Sequence, residues 1–339
     1  MAKRSISTLT RRLREAGFER EFVRRAILPD WWDQSCRSEP DLLPEIEIRV
    51  GRFLGVPMSV VTDPESMLAA PGYPKARLRC VRDVDRDRLT PAIHAATGIA
   101  GAVVRNLNES VPAPAPPPPN GLAWRQELPD LGGSVDLDTI LKDLWARGIP
   151  VVPTQLLPAP SFQGLAAVVE DRPVVVLGHR HDEPGRAAFR ISHEAGHIAR
   201  GDCMPGAPVV DKDEEIVSDD EMERFADRYA MRVVMGEHTI PELDPGAFDD
   251  FRTLANRAVE IEQQTGIDAG AIIFTWARTS GDYATATMAT KALYLSTGAG
   301  RTLRKYFRMF VDVEGASLSD RELMRVVVPA SVTYDAPAG

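Results

Sequence analysis

The sequence predicts an α+β fold: a mainly helical N-terminal domain, then a small sheet followed by a set of helices. Three observations carry this reading. Apolar residues recur at helical spacing in several stretches of residues 1–110. Pro173–Leu177 is dense in β-branched residues and bounded by turn residues, as a strand is. Between the two parts lies Val111–Asn120, VPAPAPPPPN, which can form neither helix nor central strand, because proline lacks an N–H and fixes φ. It reads as a stiff, extended linker.

In chain order, Leu13, Ala16, Phe22, Val23, Ala26 and Ile27 place one amphipathic helix over 13–27, stopped by Pro29. Ile46, Val50, Phe53 and Leu54 mark a second helix. Gly55 is a turn, and Met58–Val61 opens a third helix. The stretch IRVGRFLGVPMSVVTD resembles the helix-turn-helix segment of phage-repressor-like regulators. Residues 1–28 carry eight basic side chains against three acidic ones. Arg11, Arg12, Arg24 and Arg25 on that stripe are candidate phosphate contacts; the alternative is a solvated helix face. A further helix covers Leu89–Leu107.

Beyond the proline run, a helix over Asp136–Arg147 follows a cap at Ser134, and Gly148 ends it. Strands are expected at Ile149–Val152, Leu165–Val169 and Pro173–Leu177. Helices follow at Ala187–Arg200, Asp219–Val234, Asp249–Thr265 and Ile267–Thr279. TLRKYFRMFVDV reads as a basic-aromatic helix leading into a strand, and residues 331–339 as a disordered tail. The boundaries are then a helical domain at 1–110, the linker at 111–120, a core at 121–240, a C-terminal helical region at 241–330 and the tail.

The 339 residues suit two or three domains, and 44% hydrophobic residues support a sizeable core. A net charge of −9 argues against bulk affinity for nucleic acid or anionic membranes, while leaving room for a local basic patch. Cys36, Cys80 and Cys203 are odd in number and far apart, which suits free thiols in a cytoplasmic protein. Neither a signal peptide nor a membrane span is expected.

The chemistry concentrates at His193-Glu194-Ala195-Gly196-His197. Residues four apart share a helix face, so both imidazoles can point at one ion, and zinc takes such nitrogen donors. Glu194 projects beside the pair, where it can act as general base on a water. Gly196 is costly in a helix, which suggests a close approach by another group. A catalytic zinc site needs a third protein ligand. The extended pattern with a further glycine and histidine fails, because those positions hold Arg200 and Cys203. The better candidate is on the next helix, EMERFADRYAMRVVM. There Glu223 and Asp227 share a face with Ala226 and Ala230, whose small side chains allow close packing. Glu223 would bind the metal, and Asp227 would accept the other ring N–H of a histidine. Glu221, Cys203 and Asp202 are weaker alternatives. Tyr229, His238, His179 and His181 are candidates for an additional oxyanion donor. The competing reading is a plain helix with two unrelated histidines beside a solvated acidic face.

The run PVVVLGHRHDEPGRAAFRISHEAGHIARGD followed by ERFADRYAMRVVM resembles the ImmA/IrrE family of zinc metallopeptidases. Arg186, Phe189, His193, Glu194, Gly196, His197, Glu223, Ala226, Asp227, Tyr229 and Ala230 fit its pattern, over about residues 135–240. One departure is VVMG at the end of the second helix, where Leu-Leu-Met-Pro is common. The resemblance implies a zincin-like, gluzincin-type metallopeptidase core over 121–240 and a Zn2+ cofactor. It also implies a repressor-type protein substrate in a stress or mobile-element response. The alternative expectation is a DNA-binding transcriptional regulator, or an antitoxin-like partner-binding protein, whose zinc domain acts as a sensor.

Overall fold

The structure, a computed structural model, describes residues 3–72, 77–78, 86–128, 134–178, 182–211, 221–237, 248, 250–293 and 298–327. The expected tail and the expected donors His179, His181 and His238 lie outside the described residues. The fold is α+β, predominantly helical around one small mixed sheet. No helix among the described residues is long and apolar enough to cross a membrane.

The chain opens with α1 (Ile6–Glu15), capped by Ser5, whose hydroxyl accepts from the Thr8 amide. The single helix expected over 13–27 is two. Gly17 adopts φ +88°, and an added Cβ there would lie 2.6 Å from Pro91 Cγ, so the chain turns where proline packs on bare backbone. It resumes as α2 (Arg20–Phe22), which continues into a π-helical turn over Val23–Ile27. Leu28 is extended ahead of Pro29, as the residue before a proline should be. Next come α3 (Leu43–Leu54), ended by Gly55 at φ +66°, and α4 (Met58–Thr62). With five residues, α4 has less than two turns to lay along a groove.

A two-residue edge strand, β1 (Arg77–Leu78), precedes the long α5 (Arg86–Arg105). The buried face of α5 is mostly alanine (Ala92, Ala95, Ala96, Ala100, Ala102), which lets it pack closely against the sheet. The proline run is extended and held down. The Ala115 amide donates to Arg147 O (2.9 Å), and Arg172 donates to Pro112 O (2.9 Å). It feeds α6 (Gly121–Glu127), capped by Asn120, and then α7 (Leu137–Ala146). The α7 cap is Asp136, which accepts from the Thr139 amide. The expected cap, Ser134, instead donates to Glu262 (2.9 Å).

The sheet is completed by β2 (Val151–Thr154), β3 (Gly164–Val169), β4 (Arg172–Gly178) and, after α8 (Pro184–Arg200), β5 (Val209–Asp211). Its order is β1-β5-β3-β4-β2. β3 is central and antiparallel to both neighbours, while the two outer pairs are parallel. Glu170 and Asp171 make the β3–β4 turn with φ of +50° and +62°, the two-residue hairpin geometry that matches strand twist.

The remaining helices are α9 (Glu221–Met235), α10 (Phe251–Thr265), α11 (Ala269–Ser280), α12 (Tyr283–Leu293), α13 (Ala299–Phe310) and α14 (Leu318–Met324). The strand expected after α13 amounts to one bridge pair, Val311 with Leu107. α14 returns to α5 and to the π-helical turn, so apolar residues from Ile6 to Val327 join one contiguous core. Within it, α8 is covered by β3, α7, α9 and α11.

Candidate metal centre

α8 begins with Pro184 in its first turn and ends at Gly201, φ +79°. Nearly every side chain from Gly185 to Ile198 is buried, so polar groups on this helix must find partners inside the protein. Two glycines set how close its neighbours come. An added Cβ at Gly185 would collide with the Gly270 backbone of α11. One at Gly196 would lie 3.2 Å from the Tyr229 ring of α9, which is the close approach that this glycine suggested. Ala226 and Ala230 on α9 are fully buried.

This packing brings His193, His197 and Glu223 together, each at most 1% exposed. His193 Nε2 lies 3.2 Å from His197 Nε2 and 3.2 Å from Glu223 Oε2. His197 Nε2 lies 3.6 Å from Glu223 Oε1. The other ring nitrogens point away to carboxylates: His193 Nδ1 to Asp227 at 3.0 Å and His197 Nδ1 to Asp202 at 3.1 Å. Assigned from these partners, each Nδ1 carries the proton and donates it, leaving both Nε2 lone pairs aimed at one another and at Glu223. Three acceptors that converge in a buried space repel unless a cation lies between them. Tetrahedral zinc with Zn–N bonds of about 2.0–2.1 Å sets its donors about 3.3–3.4 Å apart, close to the separations seen. The donor set therefore fits a metal ion.

Both supporting carboxylates are themselves anchored. Asp227 also receives Arg278 Nη2 from α11 (3.4 Å), and that guanidinium lies 4.2 Å over the Phe189 ring of α8. Asp202 lies 3.6 Å from Arg200 Nε. Asp227 thus lies within hydrogen-bond distance of the His193 ring nitrogen. Asp202, weighed before only as a ligand, instead orients His197. A signal for it was present: Gly201 reverses the chain, and the Asp202 amide returns to His197 O (2.9 Å). Arg278, from a helix 51 residues beyond Asp227, had none. Replacing Asp227 or Asp202 by Ala should each weaken metal affinity about 10- to 100-fold. A chromogenic-chelator competition titration measures it, and an unchanged dissociation constant would remove their orienting role.

Glu194 is buried beside the pair, and its carboxylate lies against the first residue of β3. An added Cβ at Gly164 would collide with Glu194 Oε1, so only a glycine there leaves room for the carboxylate. Gly164 was not singled out from sequence, where it is one of 25 glycines. The other weak ligand candidates stand apart from the cluster: Glu221 is exposed at the start of α9, and Cys203 is half-buried.

The hydroxyl of Tyr229, a candidate oxyanion donor, is engaged by the proline run. It donates to Pro118 O (2.8 Å) and the Tyr229 ring stacks with Trp124, so this residue braces α9 against the proline run. Burial raises its hydroxyl pKa above the ordinary tyrosine value. Of the arginine stripe, Arg12 is a correction. It is buried, and donates to Val60 O and Val61 O (2.7 Å each) and to Ser66 O (3.0 Å). It therefore closes the end of α4 and offers no charge to a phosphate. Arg11 pairs with Glu15 at the surface, Arg25 donates to Arg325 O and Arg24 is exposed. No family model matches the chain, and no curated protein matches it.

Proposed function

We propose that this chain is a zinc-dependent endopeptidase of the ImmA/IrrE type, with a zincin-like core, that cleaves a repressor-type protein. The convergence of His193 Nε2, His197 Nε2 and a Glu223 carboxylate carries the reading. The presence of Glu194 one residue after the first histidine favours hydrolysis over a purely structural ion, since structural zinc sites use four protein ligands and three converge here among the described residues. His193, His197 and Glu223 would hold the ion, which supplies Lewis-acid polarisation of the scissile carbonyl and a lowered pKa for a neighbouring water.

Glu194 takes the proton from the attacking water as the new C–O bond forms. It delivers that proton to the amine nitrogen as the C–N bond breaks. Asp227 and Asp202 hold the two imidazoles in the tautomer that leaves Nε2 unprotonated. The substrate class comes from the sequence resemblance alone. Its test is incubation of zinc-loaded protein with a panel of helix-turn-helix repressors and a random peptide library, read by mass spectrometry. Specific fragments should appear, stop on chelation and return on adding zinc. Intact repressors and an uncut library at full zinc loading would end the peptidase proposal.

A further inference from the structure

A cleft of about 580 Å³ opens in the N-terminal helical region, far in sequence from the metal centre. Its volume lies within the usual range of small-ligand sites, about 300–1,000 Å³. α1 contributes Arg11 and Arg14, α2 contributes Arg20, the π-helical turn contributes Arg24, and the short turn after Trp32 contributes Arg37. Of these, Arg14, Arg20, Arg24 and Arg37 make no ion pair among the described residues. Arg11 has only the exposed pair with Glu15, worth little in water.

The one carboxylate among the described lining residues, Asp33, makes no ion pair with these cations. Asp33 accepts from the Ser35 amide (2.7 Å) and the Ser35 hydroxyl, which hold its pKa below the usual carboxylate value. Five guanidinium groups facing one cleft repel one another, in a chain whose net charge is −9. An anion inside would relieve that repulsion. Every cation is arginine, whose planar fork matches phosphate oxygens in pairs. The floor is different in character: Val23, Leu28 and Trp32, each less than a tenth exposed, form an apolar patch beneath the charges. The π-helical turn carries both kinds of group, Val23 and Arg24, and such insertions recur at functional sites.

We infer that this cleft is a binding site for a small phosphate-bearing molecule with an apolar ring, the phosphates on the arginines and the ring on the Val23–Leu28–Trp32 floor. This is separate from the extended DNA surface that the basic stripe suggested. A recess of this volume suits a single small ligand, Arg12 is consumed inside the protein, and α4 is short for groove reading.

Calorimetric titration of the full chain with ATP, inorganic pyrophosphate and a 20-base-pair duplex tests the inference. ATP should bind at one site, more tightly than pyrophosphate. The double variant Arg14→Ala/Arg24→Ala, both exposed positions, should bind it at least tenfold more weakly, with an unchanged thermal midpoint and zinc content. Arg301→Ala, exposed on α13, should bind as the parent does. No saturation with ATP or pyrophosphate at millimolar concentration, or unaltered ATP affinity in the double variant, would overturn the site. Duplex bound more tightly than either small ligand would reassign it to nucleic acid. Pyrophosphate bound as tightly as ATP would remove the ring-binding floor.

Discussion

Glu194→Gln should keep a full complement of zinc and lose cleavage by about 100- to 10,000-fold, the usual contribution of a positioned general base. Glutamine preserves volume, so the buried site and its packing on β3 survive. What disappears is an atom able to take a proton. The alternative, in which Glu194 is only a buried carboxylate, predicts the same metal content with turnover near that of the parent. Gly164→Ala is a companion variant. It leaves Glu194 chemically intact but forces the carboxylate off the β3 backbone. Activity should fall while the metal stays bound. Parent-like turnover in Glu194→Gln, measured on any substrate the parent cuts, would refute the assignment.

His193→Ala should abolish stoichiometric zinc binding, and Glu223→Ala should weaken it severely. Each change removes one of the three protein donors that converge among the described residues. The same loss shows in stability. A ligand that binds only the folded state contributes about 4 kcal/mol when its free concentration is a thousand times its dissociation constant. Zinc should therefore raise the thermal midpoint of the parent and leave that of His193→Ala unmoved. Elemental analysis of the dialysed proteins gives the direct reading. One zinc per chain in His193→Ala would show that the three acceptors do not share a metal.

The cluster explains why these two substitutions should differ. Glu194 lies against β3 and under the proposed mechanism acts on a water, whereas His193 is tied on both sides, by Asp227 at Nδ1 and by the shared donor space at Nε2. Asp227 in turn draws on Arg278 of α11. The candidate metal site is consequently built from three helices, α8, α9 and α11, plus the start of β3, although its three converging donors come from only two.

What local chemistry decides was readable in one dimension. Two histidines four apart must share a helix face, and Glu223 and Asp227 must share another with Ala226 and Ala230. Runs of β-branched residues before α8 predicted β3 and β4, and Gly55, Gly148 and Pro29 ended the elements they were expected to end. These follow from side-chain period and backbone torsion, which each short stretch carries within itself. Where local period was not enough, the reading failed. The spacing from Leu13 to Ile27 suited one helix, but Gly17 packs under Pro91 from 74 positions away and breaks it. Arg12 looked like part of a solvated stripe until α4 folded over it. Tyr229 sat on the right helix with its hydroxyl aimed at Pro118. Arg278 and Gly164 acquired their roles only when α8 was enclosed, because a hydrogen bond or a steric gap between distant segments depends on how bodies pack, and no periodicity records that distance.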